Sequence, residues 1–293
     1  MNARQQLRKM MQEPGRVIQT VGAHNALGAK LVEQNGFDAV WASGFEISTA
    51  HAKPDANILT MVEFLNAASQ MADATTLPVI ADCDTGFGNV NNVIRMVRDY
   101  EKAGIAAVCI EDKVFPKMNS FIPGYQSLAP KDEFAAKIRA AKDTQQDPDF
   151  VVIARVEALI AGHGMEEALE RAAAYDDAGA DLVLIHSKQK DPGEIFEFSR
   201  RWTSETPLVI VPTTYPSITL ADMSEHNIKM TIYANQALRA AVKAMNAVLA
   251  QLKESGSLLA IQDQLSPMDQ LFELQGLKDM IKQEEHYKKL EVR

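Results

Sequence analysis

Cysteine is scarce in this chain: Cys83 and Cys109 are the only two among 293 residues. Each lies in or beside a short apolar run, where a thiol behaves as a small buried hydrophobe, so neither a bridging nor a catalytic role is expected of them. Long hydrophobic runs are missing as well. The charged Arg4, Arg8 and Lys9 have no apolar stretch behind them, and no segment approaches membrane-spanning length. A soluble, cytoplasmic protein with no membrane partner is expected. Positive charge is in deficit, with 30 Lys and Arg against 39 Asp and Glu and a formal net charge of -9. Nucleic acid and anionic membranes attract basic surfaces, which argues against both as main partners; an anionic substrate would have to be held by a few local cations and a metal. No linker rich in Gly, Pro or Ser and no low-complexity block divides the chain. At 46% apolar it has enough hydrophobic material for one barrel-sized domain.

What is present is an alternation of short apolar strands and longer amphipathic helices. Strand character falls at Val17–Thr20, Ala39–Ala42, Val79–Ala81, Ala107–Ile110, Val151–Val156, Leu182–Ile185, Leu208–Val211 and Met230–Tyr233. Helical spacing falls between them, as in Val90–Ala103 and in Met165–Ala178, the latter stopped by Gly179. Eight such units predict a (β/α)8 barrel of the TIM type, with its active site at the C-terminal ends of the strands. A doubly wound open sheet is the competitor, but no glycine-rich dinucleotide fingerprint follows the first strand.

Reactive residues collect where a barrel would want them. Trp41 to Gly44 follow strand 2, Asp82 and Asp84 strand 3, Glu111 to Lys113 strand 4, and Arg155 with Glu157 closes strand 5. His186 to Lys188, Pro212 to Thr214 and Asn235 follow strands 6, 7 and 8. The carboxylates of Asp82, Asp84 and Glu111 suit a hard, oxygen-loving cation such as Mg²⁺, beside a phosphate site. On an extended chain Asp82 and Asp84 leave on one face with Cys83 on the other; a turn-capping pair is the plainer alternative. Arg155 sits in an apolar strand and must meet a carboxylate or a phosphate. His186 is either a hydrogen-bonded wall residue or, with Arg155, Asn119 and Ser120, part of a phosphate site. The connection from Glu111 to Pro130 is long and carries Lys113, Lys117, Asn119, Ser120 and Gly124, which reads as a lid. Pro267 to Arg293 reads as helical pieces beyond the eighth unit, with Leu271, Phe272, Leu274 and Leu277 needing burial. The expected division is a barrel over residues 1–255 and an extension over 256–293 that packs on a neighbouring subunit.

These residues carry a resemblance to the phosphoenolpyruvate mutase and isocitrate lyase superfamily over nearly the whole chain, and within it most closely to the mutase family. Glu111-Asp112-Lys113, five residues, then Asn119-Ser120 resembles the mutase motif. Supporting matches are Trp41-Ala42-Ser43-Gly44-Phe45, Asp55-Ala56-Asn57, Asp82 to Asn89, Ala154 to Ala158, and Ile185 to Lys188. The resemblance implies a barrel that exchanges its C-terminal helix with a neighbour in a homo-oligomer, either a dimer or a dimer of dimers (a homotetramer). It implies Mg²⁺, with Asp82 as direct ligand and Asp55, Asp84 and Glu111 holding its waters. Trp41, Ser43, Gly44 and Phe45 are then substrate residues, the last three receiving a pyruvyl carboxylate; Asn119, Ser120, Arg155 and His186 surround a phosphoryl group. Asp55, Lys117, Asn119, Arg155 and His186 form the implied catalytic set, with Asp55 as either nucleophile or orienting group.

The implied reaction interconverts phosphoenolpyruvate and phosphonopyruvate, making or breaking a carbon-phosphorus bond. Lyases of the superfamily carry a catalytic cysteine in the mobile loop, and residues 111–130 contain none. The rival is the phosphonopyruvate hydrolase family, which has threonine where this chain has Asn119; a longer amide there favours holding phosphate and excluding water. Phe45-Glu46 departs from the leucine and serine of animal mutases, so Glu46 either alters the pocket charge or pairs with a loop lysine. A non-catalytic barrel sensing a phosphorylated metabolite is a further alternative, disfavoured because all four metal-side carboxylates are present.

Overall fold

The computed structural model describes residues 1–291, so Val292 and Arg293, the end of the tail expected to be helical, lie outside the described residues. The chain divides into two compact units, one from Met1 to Leu238 and one beginning at Arg239.

The first unit begins with helix α1 (Ala3–Gln12) and strand β1 (Ile18–Ala23), followed by α2 (Ala26–Gln34), β2 (Ala39–Ala42), α3 (Gly44–Ala50), α4 (Met61–Ala74) and β3 (Val79–Asp82). Then come α5 (Val90–Lys102), β4 (Ala107–Glu111), α6 (Lys131–Thr144), β5 (Val151–Val156), α7 (Ala158–Ala161), α8 (Gly164–Asp177) and β6 (Leu182–Ile185). The series ends with α9 (Gly193–Arg201), β7 (Leu208–Ile210), α10 (Leu220–Glu225) and β8 (Ile228–Tyr233). All eight strands are parallel and close into a barrel in sequence order, β8 pairing β1 with Ile18 opposite Met230. Strands β2, β5 and β6 have the expected limits; β1 runs on to Ala23 because Val21 to Ala23 pair with Val40 to Ala42.

Strand residues alternate between two separate cores. One parity faces the barrel interior: Ile18, Ala39, Trp41, Ile80, Ala107, Cys109, Val151, Ile153, Leu182, Leu184, Val209, Met230 and Ile232. The other faces the helices, where Val40, Val79, Val108, Ile110, Val152 and Val183 meet residues such as Phe64, Tyr100, Phe134 and Tyr175. Both cysteines are free and buried, Cys83 in the outer core and Cys109 in the inner one.

The N-terminal end of the barrel is closed by α1. Leu7 and Met10, one turn apart, join the inner core beside Ile18 and Ala39. Asn2 and Gln5 form a capping box at the helix start, which satisfies two of its free N–H groups. Arg4 donates to the Ile105 and Glu101 carbonyls, and Arg8 to those of Asp149 and Phe150. The charged start thus serves as a set of clamps beneath the barrel.

The second unit holds most of α11 (Gln236–Ser255), two 3-10 turns, α12 (Met268–Leu274) and α13 (Leu277–Glu291). Of the four tail residues expected to need burial, Leu274 is buried, Phe272 and Leu277 are half-buried and Leu271 is exposed. No helix among the described residues is long and apolar enough to cross a membrane.

Candidate active site

The inward parity of each strand, followed to its C-terminal end, generates the mouth of the barrel. Continuing by twos from the inner core gives Gly22, Trp41, Asp82, Glu111, Arg155, His186, Val211 and Ala234. Most of these line a cavity of about 110 Å³, together with Ser43, Phe45, Asp55, Lys117, Asn119, Ser120, Phe121, Thr213 and Asn235. Gly22 is required: a Cβ there would lie 2.3 Å from the Ala234 carbonyl oxygen and 2.8 Å from Glu46 Oε1.

On one side of the cavity, four carboxylates gather around one ammonium group. Lys117 Nζ lies 2.7 Å from Asp55 Oδ1 and 3.0 Å from Asp84 Oδ1, and all three side chains are nearly fully buried. Asn119 Nδ2 donates to the other oxygen of Asp55 at 2.7 Å. Burial opposes ionisation of Asp55, but Lys117, Asn119 and Arg155 outweigh it and hold its pKa below the usual carboxylate range. Burial instead dominates at Asp82 and Asp84; Lys117 pulls against it, while the neighbouring carboxylates reinforce it. Asp82 is raised and Asp84 is pushed up to about 7. Lys117 stays charged: burial disfavours its cation, yet Asp84, Asp55, Glu111 and Asp82 raise its pKa well above normal.

Asp84 does not continue an extended chain. Its φ is +49°, so a turn, not the strand parity expected from the sequence, brings it beside Asp55. Asp82 Oδ1 accepts the Asp84 N–H at 3.3 Å, so the turn-capping role is present as well.

The other side of the cavity is organised by Glu157, which is fully buried. Its Oε1 accepts from Arg155 Nε at 2.6 Å and contacts His186 Nδ1 at 2.7 Å; its Oε2 accepts the Ser120 hydroxyl at 2.7 Å, with Lys113 Nζ at 3.2 Å. Burial works against this carboxylate, but Arg155, His186 and Lys113 hold its pKa well below normal. Arg155 Nη2 also lies 2.9 Å from His186 Nδ1. One ring nitrogen cannot donate to Glu157 and accept from Arg155 together; the contact with the carboxylate is shorter and assigns the Nδ1 proton to Glu157. Burial lowers the His186 pKa despite Glu157, so the ring is neutral at pH 7 and Nε2 is left for a ligand. The Ser120 hydroxyl is saturated, donating to Glu157 while accepting from Lys113 at 2.7 Å and Arg155 at 3.1 Å.

The 111–130 connection lies across this site as a lid. Asp112 ties its base to α8, accepting from Tyr175 Oη at 2.7 Å, Arg171 Nη1 at 3.2 Å and the Glu157 N–H at 2.8 Å. Phe121 meets His186 edge to face, with ring centroids 5.9 Å apart.

The residues chosen from sequence therefore converge, with exceptions of detail. Trp41, Ser43, Phe45, Asp55, Asp82, Lys117, Asn119, Ser120, Arg155 and His186 line the cavity; Gly44, Asp84 and Glu111 stand behind it. Gly44 donates its N–H to Asp82 Oδ2 at 3.2 Å and Ser43 Oγ caps α3 by accepting the Glu46 N–H. This leaves the Ser43 hydroxyl proton and the Phe45 N–H, which has no intrahelical acceptor. Glu46 pairs with His24 Nδ1 at 3.1 Å, fully buried, and not with a loop lysine. The role of Glu157 as hub was missed; a second charge two residues after Arg155 was its signal. Asn57 was missed too, since its contacts reach 60 residues along the chain.

The donor set fits a hard divalent cation. Glu111 Oε1 is a buried acceptor without a hydrogen-bond partner and Asp84 Oδ1 has only the Lys117 ammonium, while burial, reinforced by the neighbouring carboxylates, raises the pKa values of Asp82 and Asp84, so a cation here would stabilise their charged forms. Among the described residues no three His, Cys, Asp or Glu side chains already cage such an ion; Lys117 stands between Asp55 and Asp84.

Barrel, mouth carboxylates and lid together define a superfamily, and the chain belongs to the phosphoenolpyruvate phosphomutase family, whose profile matches residues 7–253. It is 47% identical over 279 residues to the phosphonopyruvate hydrolase of Variovorax sp. (strain Pal2), covering 94% of this chain and 96% of the relative. The crystal structure of phosphoenolpyruvate phosphomutase from Streptomyces platensis subsp. rosaceus superposes with a TM-score of 0.96 at 51% identity, covering 100% of both chains. A phosphonopyruvate hydrolase complex with oxalate and Mg²⁺ gives a TM-score of 0.93 at 45% identity, covering 98% of this chain and 99% of the other.

Proposed function

We propose that this chain is a Mg²⁺-dependent phosphoenolpyruvate mutase, interconverting phosphoenolpyruvate and phosphonopyruvate. The observation that carries the reading is the lid's grip on Asp55, whose two oxygens each accept one hydrogen bond, from Lys117 and from Asn119. A carboxylate so engaged is not free to take a proton from water, and water is what a mutase must keep from the migrating phosphoryl group. The same engagement favours Asp55 as an orienting group over a nucleophile, since attack would require it to shed a donor.

Arg155, His186 and Asn119 would surround the phosphoryl group, whose loose transition state spreads charge over its oxygens and is stabilised by fixed donors. His186, neutral beforehand, would take up a proton as that anion arrives. Ser120 would hold the lid to Glu157, its hydroxyl being already committed. The Ser43 hydroxyl and Phe45 N–H would receive the pyruvyl carboxylate over Trp41. Asp82 would ligate Mg²⁺ directly, with Asp55, Asp84 and Glu111 holding its waters; the bound ion supplies positive charge where the enolate develops. We further propose a homo-oligomer in which the segment from residue 256 packs on a neighbouring subunit, a role supported by exposed Leu258, Leu259, Met268 and Met280.

Hydrolysis of phosphonopyruvate is the second reading, favoured by the 47% identity to a hydrolase; Asn119 weighs against it. Phosphonopyruvate incubated with the protein and Mg²⁺, followed by ³¹P NMR beside a chelated control, separates the two. A phosphoenolpyruvate signal that the chelator abolishes is expected. Inorganic phosphate with equimolar pyruvate would make the protein a hydrolase.

A further inference from the structure

Asn57 does not line the catalytic cavity and has been given no role in it, yet it joins the lid to the carboxylates beneath. Its Oδ1 accepts the Lys117 N–H at 2.5 Å, and its Nδ2 donates to Asp84 Oδ2 at 2.6 Å. The Lys117 backbone N–H can only donate, so Oδ1 must face it and Nδ2 is the group turned to Asp84. Asn57 has φ +53°, a left-handed conformation that asparagine and glycine tolerate better than other residues. Lys117 is held at its far end too, by Asp55 and Asp84. Raising the lid would therefore strip Asn57 Oδ1 of its donor and Asp84 Oδ1 of its ammonium. Rotating Asp84 would strip Asn57 Nδ2 of its acceptor. Neither movement is independent of the other.

We propose that Asn57 is a positioning residue that couples closure of the 111–130 lid to the orientation of Asp84. Its effect on products rests on the mutase reading; its effect on the lid does not. Asn57→Gly keeps the backbone conformation and removes both contacts. Asn57→Asp keeps an acceptor for the lid but sets a second carboxylate against Asp84. Without substrate, trypsin cleavage of the Lys117–Met118 bond, followed by mass spectrometry, reports lid opening. Cleavage about tenfold faster than wild type is expected in both variants, the size of losing a hydrogen bond to a charged group. Circular dichroism and thermal unfolding serve as fold controls, and if one variant does not fold the other decides. With phosphonopyruvate, the folded variants should also release a several-fold larger share of inorganic phosphate, a shift that a merely structural role would not produce. Wild-type cleavage rates in a folded variant overturn the coupling. Should the wild-type protein form no phosphoenolpyruvate, the mutase reading fails while the cleavage rates still test the lid.

Discussion

Asn119 does two things with one amide: Nδ2 donates to Asp55 Oδ2 at 2.7 Å, and Oδ1 accepts the Phe121 N–H at 3.0 Å. Threonine is too short to make both contacts. Asn119→Thr should therefore raise the ratio of phosphate to isomerised product by about ten- to a hundredfold, the range for losing a hydrogen bond to an ionised group. The ³¹P product ratio measures this, and an unchanged ratio would remove Asn119 as the discriminator. Asp112 makes a prediction of a different kind. Burial pushes its pKa up to about 6 from an ordinary 3.8. Between those values the native state binds more protons than the unfolded chain, so this residue's contribution is present in acid and lost as pH rises through about 6. Wild type relative to Asp112→Asn should lose on the order of 1 kcal/mol between pH 5 and pH 8, read from urea titrations at the two pH values.

Among the elements, strand parity was the most legible feature of the sequence. An apolar strand of period two ending in Glu111 or Arg155 leaves little choice of which way those side chains face, and their pairing across β4 and β5 follows. Parity fails where the chain turns: the φ of +49° at Asp84 is set by tertiary contacts that no local pattern encodes. The partners of Lys117 were equally hidden, since 62 residues separate it from Asp55. Helix α1 is not legible in the sequence because it buries only one apolar pair, Leu7 and Met10, in the inner core, too few positions to set a helical period. Leu7 is fully buried, and Leu7→Ala should destabilise the protein by about 2–5 kcal/mol. A shift in the denaturant midpoint of that size, with an unchanged slope, is the expected result; a shift below about 1 kcal/mol would mean that α1 does not seal the barrel.

For the whole molecule, the exposed apolar residues of the second unit set the expectation. Leu259 is 81% exposed and Leu258 72%, with Met268, Met280 and Tyr287 also open to solvent; so much uncovered apolar surface on one segment supports the proposed association. Analytical ultracentrifugation should find the full chain oligomeric and a chain ending at Ser255 of lower order or aggregation-prone. A full chain that stays monomeric at high concentration would leave the tail without its proposed partner.

The pairing of Ile18 with Met230 that closes the barrel has a bearing on how the chain is made. The first strand leaves the ribosome early, but the neighbour that completes its hydrogen bonding is the last strand to emerge. Until then the nascent sheet carries two open edges, the kind of surface that pairs with other chains. Such distant pairing also slows folding. Exposure of unpaired strand edges during synthesis is thus written into the order of the strands, and it ends when the eighth strand arrives.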